Sequence, residues 1–173
     1  MTRIDIVLAD PFYKDCLAKI NELEADRKFC RHTFQHVVDV ARITYILLLE
    51  SGIIKRFMEE NDLNLKLAKE LVYAAGLLHD IGRWVEYEQG EDHAVAGARL
   101  AVELLIRAGF NEKEVLIITS GIKEHRRKKE NMSILGELMC RADNLSRLCV
   151  QCDVSTDCYK YDEMESGRVT LIY

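Results

Sequence analysis

The chain has 173 residues, 49% hydrophobic and 31% charged, with a net charge of −5 at pH 7, a balance that fits one soluble globular domain spanning residues 1–173. It contains no run of about 18 apolar residues, which argues against a membrane span. Acidic residues also interrupt the N-terminal stretch where an export signal needs unbroken apolar character, so a cytoplasmic location is expected. The acidic balance argues against a general nucleic-acid binder and leaves a local basic site open.

Asp10-Pro11 places an N-cap before a proline suited to a first helical position, predicting a helix over 11–26. A second helix is predicted over 32–50, closing at Ser51-Gly52, with His36, Val40, Ile43 and Leu47 on one largely apolar stripe. A short amphipathic piece near 53–60 leads to a turn at Asn61-Asp62. Residues 64–80 predict a long helix with Ala68, Val72, Ala75 and His79 on one face; Gly82 and the polar stretch 86–92 break that pattern. Helix resumes over 93–108 with Gly109 as its C-cap. Asn111 caps the next helix, which carries Ile118, Ile122 and His125 along one side. Another helix is predicted over 133–150, and the tail 168–173 has strand character.

The five histidines are His32, His36, His79, His93 and His125. Any one alone is most often a hydrogen-bonded core or surface group. Three of them, His36, His79 and His125, fall on apolar stripes of three different helices. A buried imidazole needs partners for both nitrogens, and a metal can supply one. The adjacent pair His79-Asp80 offers two ligand types for borderline divalent metals at the end of an apolar helix.

Leu77-Leu78-His79-Asp80-Ile81-Gly82 resembles the signature of the HD superfamily of metal-dependent phosphohydrolases. His36-Val37-Val38-Asp39-Val40-Ala41 resembles its first motif, and Arg141-Ala142-Asp143-Asn144-Leu145 its last. The resemblance covers about 30–147 and leaves 148–173 as a cysteine-containing extension. It implies an all-α fold, an HD-domain helical bundle enclosing a metal centre, with His36, His79, Asp80 and Asp143 as ligands. His93-Ala94-Val95-Ala96-Gly97-Ala98 and Ile122-Lys123-Glu124-His125 resemble motifs of small bacterial members in which these histidines hold a second ion. The resemblance therefore implies two ions per chain bridged by Asp80; a mononuclear site lined by two polar histidines is the alternative. Such a donor set suits Fe, Mn, Co or Ni.

His32 precedes His36 by one helical turn's spacing. At that offset it resembles the proton donor of HD-type cyclic nucleotide phosphodiesterases; a substrate-facing or capping histidine is the alternative. Arg83 follows the His-Asp segment, where many members carry lysine, and is a candidate for bidentate phosphate binding. The run from Arg126 to Lys129 is a candidate for holding a polyphosphate tail. Both have a competing reading as solvated surface.

The implied function is hydrolysis of a phosphate ester or phosphoanhydride in a nucleotide-like substrate by metal-activated water, with Asp80 also orienting the nucleophile. Small bacterial HD proteins that split symmetric dinucleoside polyphosphates share the motif order. An HD-type diiron oxygenase and a non-catalytic metal- and nucleotide-binding regulatory module remain as other classes, and a homodimer is left open.

Six cysteines without an export signal are expected as thiols or metal ligands. Cys149, Cys152 and Cys158 have spacing compatible with a structural Zn, which normally needs four ligands. Cys16, Cys30 and Cys140 are the available fourths, and thiols without metal are the alternative.

Overall fold

The computed structural model describes residues 1–126 and 130–168, which form nine α-helices and no strand. Residues 169–173 of the tail read as strand, and three residues of the basic run, Arg127, Lys128 and Lys129, lie outside the described residues, while Arg168 follows the last 3-10 helix.

The first helix, α1 (Thr2–Ala9), has no counterpart in the sequence reading. It lacks a capping side chain, and its order comes from burying Ile4 and Val7. Arg3 adds a tether: its guanidinium donates to Glu70 at 2.8 Å and to Glu114 at 2.7 Å, and lies 4.1 Å over the Phe110 ring. Helix α2 (Pro11–Leu23) starts as predicted, with Asp10 accepting from the Phe12 amide at 2.8 Å, and ends before residue 26.

Helix α3 (Phe34–Glu50) starts two residues later than predicted, because the Thr33 hydroxyl caps it by accepting from the His36 amide. His32 therefore lies outside the helix that carries His36. After α4 (Ile54–Asn61), the Asn64 side chain caps α5 (Leu65–Leu78). Helix α6 (Arg83–Gln89) occupies part of the stretch read as a break. It buries one apolar residue, Val85, so it has no periodicity to read, and Gly90 ends it in the left-handed region at φ 76°.

Asp92 caps α7 (His93–Arg107), and a reciprocal box of Asn111 and Glu114 opens α8 (Glu112–Glu124). Helix α9 (Ile134–Leu145), capped by Ser133, stops short of the predicted residue 150. Four three-residue 3-10 helices then follow, at Cys149–Gln151, Ser155–Asp157, Tyr161–Glu163 and Glu165–Gly167.

Helix α5 runs through the centre, with Leu71, Val72 and every residue from Ala74 to Leu78 buried. Helices α3 and α8 pack on it, α7 packs on α8, and α9 lies against α3 and α8. Large side chains such as Leu71, Leu78, Ile81, Ile118 and Ile122 are fully buried. Each contributes roughly 1.5–3 kcal/mol of burial before entropy is counted.

Two glycines bring the backbone together at one end of this core. A Cβ on Gly76 would lie 2.4 Å from the Ala41 Cα, so α3 and α5 touch backbone to backbone. A Cβ on Gly82 would lie 2.4 Å from both the Gly97 nitrogen and the His93 carbonyl oxygen, which holds the 79–82 turn against α7. Among the described residues no helix is long and apolar enough to cross a membrane.

A candidate metal centre

The end of α5 presents His79 as its C-cap residue, followed by Asp80. The His79 Nδ1–H donates to the Gly76 carbonyl at 2.7 Å, and His125, at the end of α8, repeats the arrangement with the Ile122 carbonyl at 2.6 Å. These local bonds set ring orientation and leave each Nε2 lone pair pointing inward. The other two rings use longer-range partners. His93 Nδ1 donates to Glu86 at 2.6 Å. His36 Nδ1 donates to the Ser146 hydroxyl at 3.0 Å, which itself donates to the Asp143 carbonyl at 2.8 Å.

The four Nε2 atoms converge on the buried Asp80 carboxylate from two sides. His79 and His36 approach Oδ2 at 3.0 and 3.3 Å, while His93 and His125 approach Oδ1 at 3.5 and 3.9 Å. Asp143 joins the first side, with Oδ1 3.2 Å from His36 Nε2. The approach of His79 to Asp80 lacks hydrogen-bond alignment: His79 Nε2, Asp80 Oδ2, His93 Nε2 and His125 Nε2 are all buried without a hydrogen-bond partner. Four such atoms aimed at one another are costly unless a cation receives them. Two sets could hold an ion, His36–His79–Asp80 and Asp80–His93–His125, and they share Asp80.

The electrostatics favour the deprotonated forms of His93, His125 and Asp80, whereas His79 is raised, because burial there is outweighed by the Asp80 carboxylate. Burial, and then Arg83, push His93 down to about 3; burial and neighbouring His79 push His125 down to about 3. Burial alone would raise the Asp80 carboxyl, but His79, Arg83 and His32 together hold it well below the usual carboxylate range.

His32 sits in the loop before α3, buried, with Nε2 3.9 Å from Asp80 Oδ2. The buried Glu24 holds it from behind, accepting from the His32 amide at 2.7 Å and lying 2.5 Å from Nδ1. The Tyr87 hydroxyl donates to the same carboxylate at 2.5 Å. Burial lowers the pKa of His32, although Asp80 and Glu24 act in the opposite sense.

Arg83 and Arg126 both reach the cleft over the centre, and neither stands unpaired. Arg83 Nε donates to Asp80 Oδ1 at 2.9 Å, and Arg126 pairs with Glu86 at 2.9 Å and with Asp92. The cleft encloses about 200 Å³ and is ringed by Arg27, Arg83, Arg126, Arg147 and Lys160. This local basic site lies within an acidic chain.

Glu24, Glu86, Ser146 and Arg147 escaped the sequence reading. Arg147 donates to His36 Nε2 at 2.9 Å and lies 3.4 Å from Asp143. Its position four residues after Asp143, one turn on, was the only available signal. Nothing in the local sequence links Glu24 to His32.

Cys30, Cys149 and Cys158 line the same cleft, and Cys30, Cys149 and Cys152 line the one beside it; Cys16 and Cys140 line neither. No cysteine belongs to a set of three ligand atoms lying within 4.8 Å of one another among the described residues.

Residues 33–148 match the family model described as HD domain. An uncharacterized protein of Clostridium beijerinckii is 37% identical over 170 residues, covering 98% of this chain and 99% of its own length. Ribonuclease Y of Geobacter sulfurreducens is 33% identical over 134 residues, covering 78% of this chain and 22% of the relative. Ribonuclease Y of Mycoplasma mycoides is 27% identical over 127 residues, covering 73% of this chain and 25% of the relative. The chain thus spans a quarter or less of these two ribonuclease Y relatives. No solved structure gives a significant match.

Proposed function

Because this chain belongs to the HD domain family of metal-dependent phosphohydrolases, we propose that it hydrolyses a phosphate ester or phosphoanhydride of a nucleotide-like substrate at a two-ion centre. The observation that carries the reading is the Asp80 carboxylate, whose two oxygens face two separate histidine sets. His36, His79 and Asp143 with Oδ2 would hold one divalent transition ion, and His93 and His125 with Oδ1 the other. Bound there, such ions supply a water acidified towards neutrality and offset the charge that grows on the phosphoryl oxygens.

The chain's own residues supply the rest. Arg83 and Arg126, with Arg27, Arg147 and Lys160, give the cleft the positive charge that draws in a phosphate. Arg83 bonds Asp80 and Arg147 lies 3.4 Å from Asp143, so their charge lies beside the reacting group, and an ion on His36 Nε2 would take the place of the Arg147 contact there. The Glu24 carboxylate on Nδ1 orients the His32 ring and favours its cationic form against burial, so His32 Nε2 would exchange a proton with the leaving oxygen.

The similarity to ribonuclease Y, together with the basic rim, favours a second reading in which the same residues cleave an RNA phosphodiester. One experiment separates the readings. The protein is stripped of metal, reloaded singly with Mn, Fe, Co or Ni, and offered dinucleoside polyphosphates, mononucleotides and short RNA. Turnover of a nucleotide that disappears in Asp80→Ala is expected, whereas full turnover by Asp80→Ala overturns the proposal. Cleavage confined to RNA selects the second reading. Nucleotide binding without turnover selects a regulatory module, and dioxygen consumption by an iron-loaded protein selects the oxygenase chemistry.

A further inference from the structure

We propose that Cys30, Cys149, Cys152 and Cys158 form a separate structural site for zinc, which fastens the segment after α9 over the mouth of the cleft. The sequence offers three cysteines in one segment and three candidates for the fourth. The fold selects among them. Cys30, in the loop before α3, and Cys149 share both neighbouring clefts, with Cys158 in one and Cys152 in the other. Cys16 is buried on α2 and Cys140 lies on α9, away from both clefts.

Four thiols from two distant parts of the chain thus occupy one neighbourhood. A soft divalent cation would bind these sulfurs as thiolates and neutralise their charge. The backbone brings this pair together: Cys152 N donates to Cys149 O at 3.2 Å, closing a one-turn 3-10 helix over a Cys-x-x-Cys spacing common in structural zinc sites.

The segment itself supplies the second argument. Residues 148–168 contain only three-residue 3-10 helices and bury three side chains, those of Cys149, Met164 and Ser166. So little buried surface does not offset the conformational entropy of ordering about twenty residues. Small, poorly cored segments are commonly stabilised by a metal or a covalent link. Cys30 is exposed and Cys152 and Cys158 are half-buried, so these three side chains have room to rotate inward. Rotation is needed, since no three sulfurs lie within 4.8 Å of one another and zinc binds sulfur at about 2.3 Å. The staple would bear on the cleft, because Cys149, Cys158, Tyr159, Lys160 and Met164 form part of its wall.

The test uses the full chain, loaded with zinc or cobalt. The HD ligands are nitrogen and oxygen only, so thiolate-to-cobalt charge-transfer absorption reports this site whether or not the hydrolase reading holds. The expected result is a band of tetrathiolate intensity, with zinc absorption spectroscopy giving sulfur neighbours at about 2.3 Å. Cys30→Ser changes an exposed residue and should leave the helices folded. It should weaken the band and increase amide exchange in 148–168, while α3 and α5 exchange as before. Absence of a thiolate band, an iron–sulfur chromophore, a disulfide among the four, or a Cys30→Ser protein with an unchanged band would each overturn the proposal.

Discussion

The helical body and the segment 148–168 build two walls of one cleft by different means. In the body, side chains such as Leu71, Val72, Ile118 and Ile122 lose all exposure. The side chains of Asp10, Thr33, Asn64, Asp92, Asn111 and Ser133 cap its helices. In the segment, none of the four 3-10 helices has a side-chain cap. The six candidate ligands all sit on or immediately beside the ends of body helices, where packing fixes them. The segment contributes residues that line the cleft, Tyr159 and Lys160 among them. Tight geometry is thus placed where burial is deepest, and the opposite wall of the cleft is placed where few side chains are buried.

Acid should break the body first. His93 and His125 have folded-state values near 3, below the roughly 6.5 of an unfolded imidazole. Between those limits the unfolded chain binds protons that the folded chain does not, so stability falls as pH falls. His32, also lowered, adds to this trend, and His79, raised, opposes it. The metal-stripped protein should therefore lose most of its thermal stability between about pH 6.5 and pH 3. A melting temperature flat across that range would contradict the buried neutral imidazoles.

Gly82→Ala should come next. Its Cβ would meet backbone atoms of His93 and Gly97 at 2.4 Å, which no side-chain rotation relieves. We expect a loss of about 3 kcal/mol in denaturant titration, with metal content falling because His79–Asp80 and His93 are pushed apart. Arg3→Ala should cost about 2–3 kcal/mol, short of the roughly 3–5 of a wholly buried pair, since Arg3 retains 18% exposure while leaving Glu70 and Glu114 buried. Its effect should reach α1, α5 and α8 and leave the metal stoichiometry intact. The smallest change should come from the link between loop and segment, Lys28 to Asp157 at 2.8 Å, with side chains 56% and 57% exposed. Lys28→Ala should cost less than about 0.5 kcal/mol and leave amide exchange in 148–168 unchanged. A larger effect would mean that this ion pair, and not the cysteines, holds the segment.

Much of the body was legible because its signals are local. Asp10-Pro11 and Asn111 mark true helix starts, and His79 and His125 stand where helices end, each bonded to the carbonyl three residues back. Helix α1 was not legible, since its order depends on Arg3 reaching Glu70 and Glu114, far away in the chain. Helix α6 was hidden by its single buried apolar residue. Glu24, Glu86 and Ser146 act on His32, His93 and His36 through side-chain contacts that follow no local spacing.

By itself, the amino-acid order determined the helical class and most of the helix starts, because caps and apolar stripes obey the period of the α-helix, and its resemblance to the HD motifs pointed to Asp80 and the five residues gathered near it. The tertiary structure decided how those residues divide: which Asp80 oxygen faces which histidines, which partner orients each ring, and that Cys30 lines the same clefts as the C-terminal cysteines. Those outcomes depend on the close approach of α3 to α5 at Gly76 and of the 79–82 turn to α7 at Gly82. Such approaches are set by the packing of distant surfaces, which no stretch of neighbouring residues encodes.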